Sequence, residues 1–220
     1  MSTKPRVILV GADKGGVGKT TVSRLLIDYL NRKTISPRII DTQTPTGILN
    51  RFYRSAEVLD LTTDTGMMAA LDGFNGSIVA DIRAGLLTPT LEMMRDIGFL
   101  ADVAKGKASL IVLHVLGPTI ASVAEIEALK ELVDFARYFL VKNHINEYDW
   151  TPSGTHFAPP IDVPCLSPLA TATVDGAGLS YNEFIGDPSF SYVLRGRVAH
   201  WRGEVDNEWD RVNAASWLVD

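Results

Sequence analysis

The sequence predicts an α/β protein: three layers, α/β/α, with a mostly parallel sheet covered by helices on both faces. Three observations predict it. Short apolar runs of strand length alternate with stretches of helical periodicity. The first run, Val7–Val10, passes directly into a glycine-rich loop and then into Leu25, Leu26, Tyr29 and Leu30 at helical spacing. Two further runs end on aspartate, at Asp41 and Asp81. An acid at the carboxyl end of a parallel strand stands at the edge where such sheets hold ligands.

Composition narrows the class. The 220 residues suit a single domain spanning 1–220, long enough for a full core. A hydrophobic fraction of 46% with 21% charged residues argues for an ordinary globular chain rather than a disordered one. No apolar run reaches the roughly 18 residues of a membrane span. The opening MSTKPR runs straight into the first strand, so no signal peptide and a cytoplasmic location are expected. Cys165 is the single cysteine, which excludes an internal disulfide and a cysteine metal cage. A net charge of −5 gives no global attraction to nucleic acid or acidic lipid, so such binding needs a local patch.

The first element, an apolar strand from Arg6, leads into GADKGGVGKTT and a helix from near Lys19 to 31–33, stopped by Pro37. Gly15, Gly16 and Gly18 let backbone N–H groups converge on one anion. The helix start adds its own unpaired N–H groups and positive dipole end. Lys19 is placed to reach β- and γ-phosphates, the Thr20 hydroxyl to ligate Mg²⁺, and Thr21 to meet the α-phosphate. The generic loop G-x-x-x-x-G-K-[ST] requires glycine at position 13, where this chain has Asp13.

What the loop does match is K-G-G-x-G-K-[ST], from Lys14 through Gly15, Gly16, Val17, Gly18, Lys19 and Thr20, with Thr21 following. Here the chain resembles the ParA/MinD family of P-loop ATPases. The resemblance implies ATP and Mg²⁺ as ligands and a homodimer in the ATP state. It also implies that Lys14 crosses the dimer interface to the partner's nucleotide.

Arg38–Ile40 is a second short strand ending on Asp41. The family carries Asp-x-Asp at this point, and the resemblance gives Asp41 a part in placing the attacking water. This chain reads Asp41-Thr42-Gln43, and an amide cannot accept a proton as a carboxylate does. The segment 44–64 reads as a mobile, weakly structured switch loop in which Leu49, Phe52 and Tyr53 are candidates to anchor a short helix against the body, and Asp64 is expected to cap a helix over 65–71. The strand 76–81 ends on Asp81, which by resemblance holds Mg²⁺ together with Thr20. The continuation Ile82-Arg83-Ala84-Gly85 lacks the family's proline until Pro89, after which Leu91, Met93, Met94, Ile97 and Leu100 suggest a helix with a core face.

Ser109–Val115 is almost wholly apolar, as a central strand should be, with His114 a core histidine. A helix from Thr119 or Ser122 follows, burying Ile126, Leu129, Leu132 and Val133, with Glu125, Glu127, Lys130 and Glu131 as its wet face. The strand 138–143 ends on Asn143, which the resemblance sets against the adenine edge. A long polar loop with Trp150 covers 147–160. Ile161–Pro164 resembles the family's last short strand, which adds Pro164 to the nucleotide-binding set, and Cys165 is expected to be a buried thiol. Val174–Phe184 has no clear period. The segment 189–220 reads as helical, with Arg195, Arg197, His200, Arg202 and Arg211 among Tyr192, Trp201, Trp209 and Trp217.

The resemblance covers most of 6–168. Gly11-Ala12-Asp13 and Lys142-Asn143 are also similar to ATPase-like proteins of plasmid stability and conjugation operons. The function expected is an ATP-hydrolysing, dimerising switch in DNA or plasmid partition, maintenance or intracellular positioning, with an activating protein partner. Non-specific DNA is a further candidate partner through Arg195–Arg202. Gln43 leaves open a nucleotide-gated adaptor with very slow hydrolysis, and the fold leaves open an ATP-dependent ligase or amidase. A membrane-surface ATPase is disfavoured because the last residues lack a basic face. A metal-cluster carrier is disfavoured because Cys165 stands alone.

Overall fold

The protein's computed structural model describes residues 4–116, 120–133, 136–145 and 159–219. Among these, seven strands form one sheet: β1 (Arg6–Gly11), β2 (Arg38–Asp41), β3 (Glu57–Val58), β4 (Ser77–Asp81), β5 (Ser109–Leu116), β6 (Arg137–Asn143) and β7 (Ile161–Val163). Their order is β3-β2-β4-β1-β5-β6-β7, and every pairing is parallel. The helices are α1 (Lys19–Arg32), α2 (Asp64–Leu71), α3 (Leu87–Asp96), α4 (Phe99–Ala104), α5 (Ile120–Leu132), α6 (Pro168–Ala177), α7 (Tyr181–Gly186) and α8 (Tyr192–Arg211). This is the parallel α/β/α architecture that the alternating pattern predicts.

Period-2 alternation splits the core in two. Ile8 and Val10 of β1 face a layer built by α1, α6, α7 and α8, where Leu25, Leu26, Phe184, Trp201 and Trp209 are buried. Val7 and Leu9 face the opposite layer, with Leu91 and Met94 of α3 and Leu129 of α5. The C-terminal tryptophans are therefore core, each burying a side chain worth roughly 1.5–3 kcal/mol or more.

Several local expectations are corrected. Segment 44–64 is more ordered than a weak loop, since β3 pairs with β2; the short helical turn expected at Leu49 is present as a 3₁₀ turn, with Leu49 fully buried. The cap of α2 is Thr63, whose hydroxyl accepts the Gly66 N–H at 3.1 Å; Asp64 is the first helical residue, where its charge suits the dipole. Helix α3 starts at Leu87, ahead of Pro89, because proline in a first turn lacks only an N–H that has no helical acceptor. Gly98, at φ +82°, breaks the chain between α3 and α4. Val174–Phe184 resolves into the end of α6 and into α7, opened by a reciprocal Ser180–Glu183 capping box. Cys165 is half-buried, not buried. The helix of the last segment is α8, followed by a 3₁₀ turn at Ala214–Trp217. Most of the loop with Trp150 lies outside the described residues.

The arginine strip expected over Arg195–Arg202 is not presented to solvent as a strip. The Arg195 guanidinium donates to the carbonyls of Phe190 and Ile185. Arg202 donates to Asn182 at 2.8 Å and lies near Asp206. Arg197 is exposed, and Arg211, further along, pairs with Glu208 at 2.7 Å. No described helix is long and apolar enough to cross a membrane.

Candidate functional site

The site forms where the sheet order turns. Strand β1 lies between β4 and β5, so the loops leaving β1 and β4 open a crevice at the carboxyl edge. Residues 12–18 cross that edge and deliver the chain into α1. Gly16 and Gly18 adopt φ of +76° and +85°, the left-handed turns that reverse the loop into the helix. At Gly18 a side chain is also excluded by space: a Cβ there would lie 2.0 Å from Asn143 Nδ2.

Lys19 is buried, and its Nζ donates to the Lys14 carbonyl at 2.8 Å, closing the loop on itself. Burial pushes the Lys19 ammonium below the usual lysine range, against the opposing pull of Asp81, Glu125 and Asp13. The Thr20 hydroxyl donates to Asp81 Oδ2 at 2.7 Å, and Ser23 donates to Oδ1 at 2.9 Å. Burial raises the Asp81 carboxyl to about 7, with the two hydroxyl hydrogen bonds and Lys19 acting against the shift and Asp41 adding to it. A desolvated carboxylate beside a hydroxyl, both oxygen donors, suits a hard divalent cation whose remaining ligands come from phosphate and water. No cluster of three or more His, Cys, Asp or Glu residues suited to a metal occurs among the described residues.

These groups line one cleft of about 420 Å³, bounded by Gly15, Gly16, Gly18, Lys19, Thr20, Asp41, Gln43, Asp81 and Arg83. A neighbouring pocket of about 210 Å³ is lined by Thr21, Asn143, Pro164, Cys165, Tyr181 and Trp201. Thr21 belongs to both, so the phosphate loop and the second pocket are contiguous. The structure thus gathers Gly15–Thr21, Asp41 and Asp81 around the cleft and Thr21, Asn143 and Pro164 around the pocket. Asn143 is buried and uses its amide to donate to the Val17 carbonyl at 2.9 Å, fixing the phosphate loop from β6. Trp201 of α8 donates its indole N–H to the Pro164 carbonyl at 2.6 Å.

Asp41 departs from expectation. Its Oδ1 accepts the Gln43 N–H at 2.8 Å, and its Oδ2 accepts the N–H groups of Ile48 and Leu49. The carboxylate thus holds the loop after β2 at the border of the cleft. Its charge is satisfied by local backbone, which a strand-end aspartate shares with many turns.

Two residues escape sequence reasoning. Asp13, the residue that breaks the generic loop pattern, caps α3 from outside: Oδ1 accepts the Leu87 N–H at 3.0 Å, and Oδ2 accepts the Thr88 hydroxyl at 2.6 Å. Asp13→Ala is expected to cost about 1 kcal/mol and lower the melting temperature by about 2–4 °C, with Asp13→Asn recovering most of it. A thermal melt of the three proteins checks this, and an unchanged Asp13→Ala midpoint removes the cap. Glu125 is the other, placed by helical periodicity on the wet face of α5. It is mostly buried instead, and it accepts the Asp13 backbone N–H at 2.5 Å. The signal that marks it is negative only: no local pattern explains a glutamate pointing inward.

No protein-family model matches the chain, and no curated protein matches it in sequence. Solved structures do resemble it. The MinD cell division protein of Aquifex aeolicus is 15% identical, covers 94% of this chain and 97% of its own, and superposes with a TM-score of 0.52. A ParA family ATPase from Chlorobium tepidum is 15% identical, with 90% and 98% covered and a TM-score of 0.49. A nucleotide-binding protein from Archaeoglobus fulgidus, solved in complex with ADP, is 17% identical, with 90% and 87% covered and a TM-score of 0.45. At such identities the likeness shows the fold alone, and of these three structures the MinD protein shows it, at a TM-score of 0.52.

Proposed function

With the fold of a MinD-type P-loop ATPase as premise, we propose that the chain binds Mg-ATP and works as a hydrolysing, dimerising switch. The observation that carries this reading is the convergence of Lys19, Thr20 and Asp81 behind a K-G-G-x-G-K-T loop, with Thr20 and Asp81 only 2.7 Å apart. The backbone N–H groups of 15–20 cradle the phosphates, and Lys19 neutralises charge on the transferred phosphoryl oxygens. Thr20 and Asp81 would hold Mg²⁺, which would supply positive charge against the phosphates. The base lies in the pocket of Thr21, Asn143 and Pro164. Lys14 reaches a partner copy's nucleotide, a role taken from the loop's resemblance. Asp41 acts by holding the loop that presents Gln43, and Gln43 orients water without accepting its proton. An activating protein partner belongs to this reading, as does work in partition, maintenance or positioning in the cytoplasm.

The test is ATP and ADP binding by fluorescence titration, with mass measured by light scattering in each nucleotide. Binding with an ATP-dependent doubling of mass supports the proposal, and no binding of either nucleotide sinks it. Lys14→Ala is expected to keep ATP affinity within about threefold while losing about tenfold or more of turnover, since its charge acts only across the dimer. Turnover at the parent rate excludes a lysine acting in trans.

A second reading is favoured by the same loop. With Gln43 in place of an acid and the Asp41 oxygens bound by backbone, a nucleotide-gated adaptor with very slow hydrolysis fits equally well. Partner-stimulated turnover of order 1 per minute or faster would exclude it. Labelled random duplex in ATP and ADP tests whether DNA is a partner; with Arg195 and Arg202 turned inward, salt-insensitive or absent binding is expected.

A further inference from the structure

Strand β5 carries one polar side chain into the core. His114 is fully buried, and it pairs in register with Gly11, the residue where β1 becomes the phosphate loop. Its Nδ1 meets the Tyr138 hydroxyl of β6, and its Nε2 lies 3.2 Å from Glu125 Oε1. The same Glu125 oxygen accepts the Asp13 N–H. Burial pushes the Glu125 carboxyl up, but the contacts of His114 and the Asp13 N–H, with the charges of His114 and Lys19, outweigh it and leave the group below the usual glutamate range. Each partner thus favours the ionised carboxylate. A polar chain runs Tyr138–His114–Glu125–Asp13 and ends on the loop that precedes Lys14.

We propose that Glu125 is a positioning residue of the phosphate loop: its carboxylate, with His114 Nε2 3.2 Å away, fixes the Asp13 N–H and so sets the curve along which Gly15–Lys19 present their donors. This deepens the nucleotide-binding reading and rests on it for its purpose, though not for its geometry. Nothing else among the described residues reaches that N–H. Asp13 is tied on its side-chain side to α3 and on its backbone side to α5, so the first half of the loop is held between the two helices that flank the crevice.

The test reads the loop directly, without nucleotide. Amide hydrogen exchange is measured residue by residue on the parent, Glu125→Ala and Glu125→Gln. Glu125→Ala is expected to speed exchange of the Asp13 amide by about tenfold, with β1 and β5 amides unchanged, as the loss of one hydrogen bond implies. Glu125→Gln keeps a carbonyl acceptor and is expected to restore protection to within about threefold. Should Glu125→Ala fail to fold, the double variant His114→Phe, Tyr138→Phe removes the polar neighbours of the carboxylate and is expected to speed the same amide several-fold. An Asp13 amide within about twofold of the parent in Glu125→Ala, or a Glu125→Gln protein no better protected than Glu125→Ala, overturns the assignment. ADP titration of the same proteins is read separately. A parent that binds no nucleotide defeats the functional reading, while the exchange data still decide Glu125.

Discussion

Lys19→Ala loses tight Mg-ATP binding while the chain stays folded; the expected fall in affinity is on the order of 10²–10³-fold. The size follows from where the ammonium sits. It is buried in the cleft, its charge is already destabilised by burial, and among the described residues its hydrogen bond goes to the loop's own carbonyl at Lys14. A polyanion there meets a cation that water screens poorly, so the loss of that charge is felt strongly. The side chain contributes little to either core, so the melting temperature should move by no more than about 2 °C. Lys19→Arg is not expected to rescue, because a planar fork cannot occupy the path of a thin ammonium chain. Fluorescence titration with a labelled ATP analogue decides it, and a loss below about tenfold would remove Lys19 from the phosphate site.

Gly18→Ala is the second large effect, and it acts on fold and site together. The added carbon meets a positive φ of +85° and the Asn143 amide nitrogen at 2.0 Å. The backbone penalty is roughly 1–2 kcal/mol, and displacing Asn143 from the Val17 carbonyl adds about 1 kcal/mol. A drop in melting temperature of roughly 5–10 °C is expected, with ATP binding lost. Gly16 supplies the control. Its φ of +76° carries the same backbone cost, but no atom lies within 4 Å of the Cβ position. Gly16→Ala should therefore destabilise by about half as much. Adding Asn143→Ala to Gly18→Ala should relieve the clash, so the two changes together cost less than their sum. Simple additivity would show that Asn143 does not close on the loop.

Legibility in the sequence follows interaction range. Strands β1, β4, β5 and β6 and helix α1 could be read because their patterns are complete within a few residues, and so could the phosphate loop. The two-residue β3 could not, since its existence depends on β2 offering an edge. Periodicity assigned Glu125 to water because it reports the average face of a helix. It cannot see that an N–H 112 positions earlier claims one carboxylate. Asp41 misled in the opposite sense. Its place at a strand end was legible, while the three backbone donors that occupy it come from a loop whose path no local pattern fixes. The arginines of α8 looked like a surface because their acceptors, Ile185, Phe190 and Asn182, lie outside the helix.

The sheet order carries a consequence for synthesis. Strand β1 and its loop are made first, yet β1 gains its neighbours only when residues 77–81 and 109–116 have followed. The pocket beside the loop waits longer, because its walls include Pro164, Tyr181 and Trp201. Parallel pairing of strands so far apart is slow to assemble and leaves edges open meanwhile. A chain still emerging from the ribosome therefore carries the 14–21 loop well before the pocket beside it has its walls. Completion of that pocket is deferred until Trp201 has followed, long after the loop itself is made.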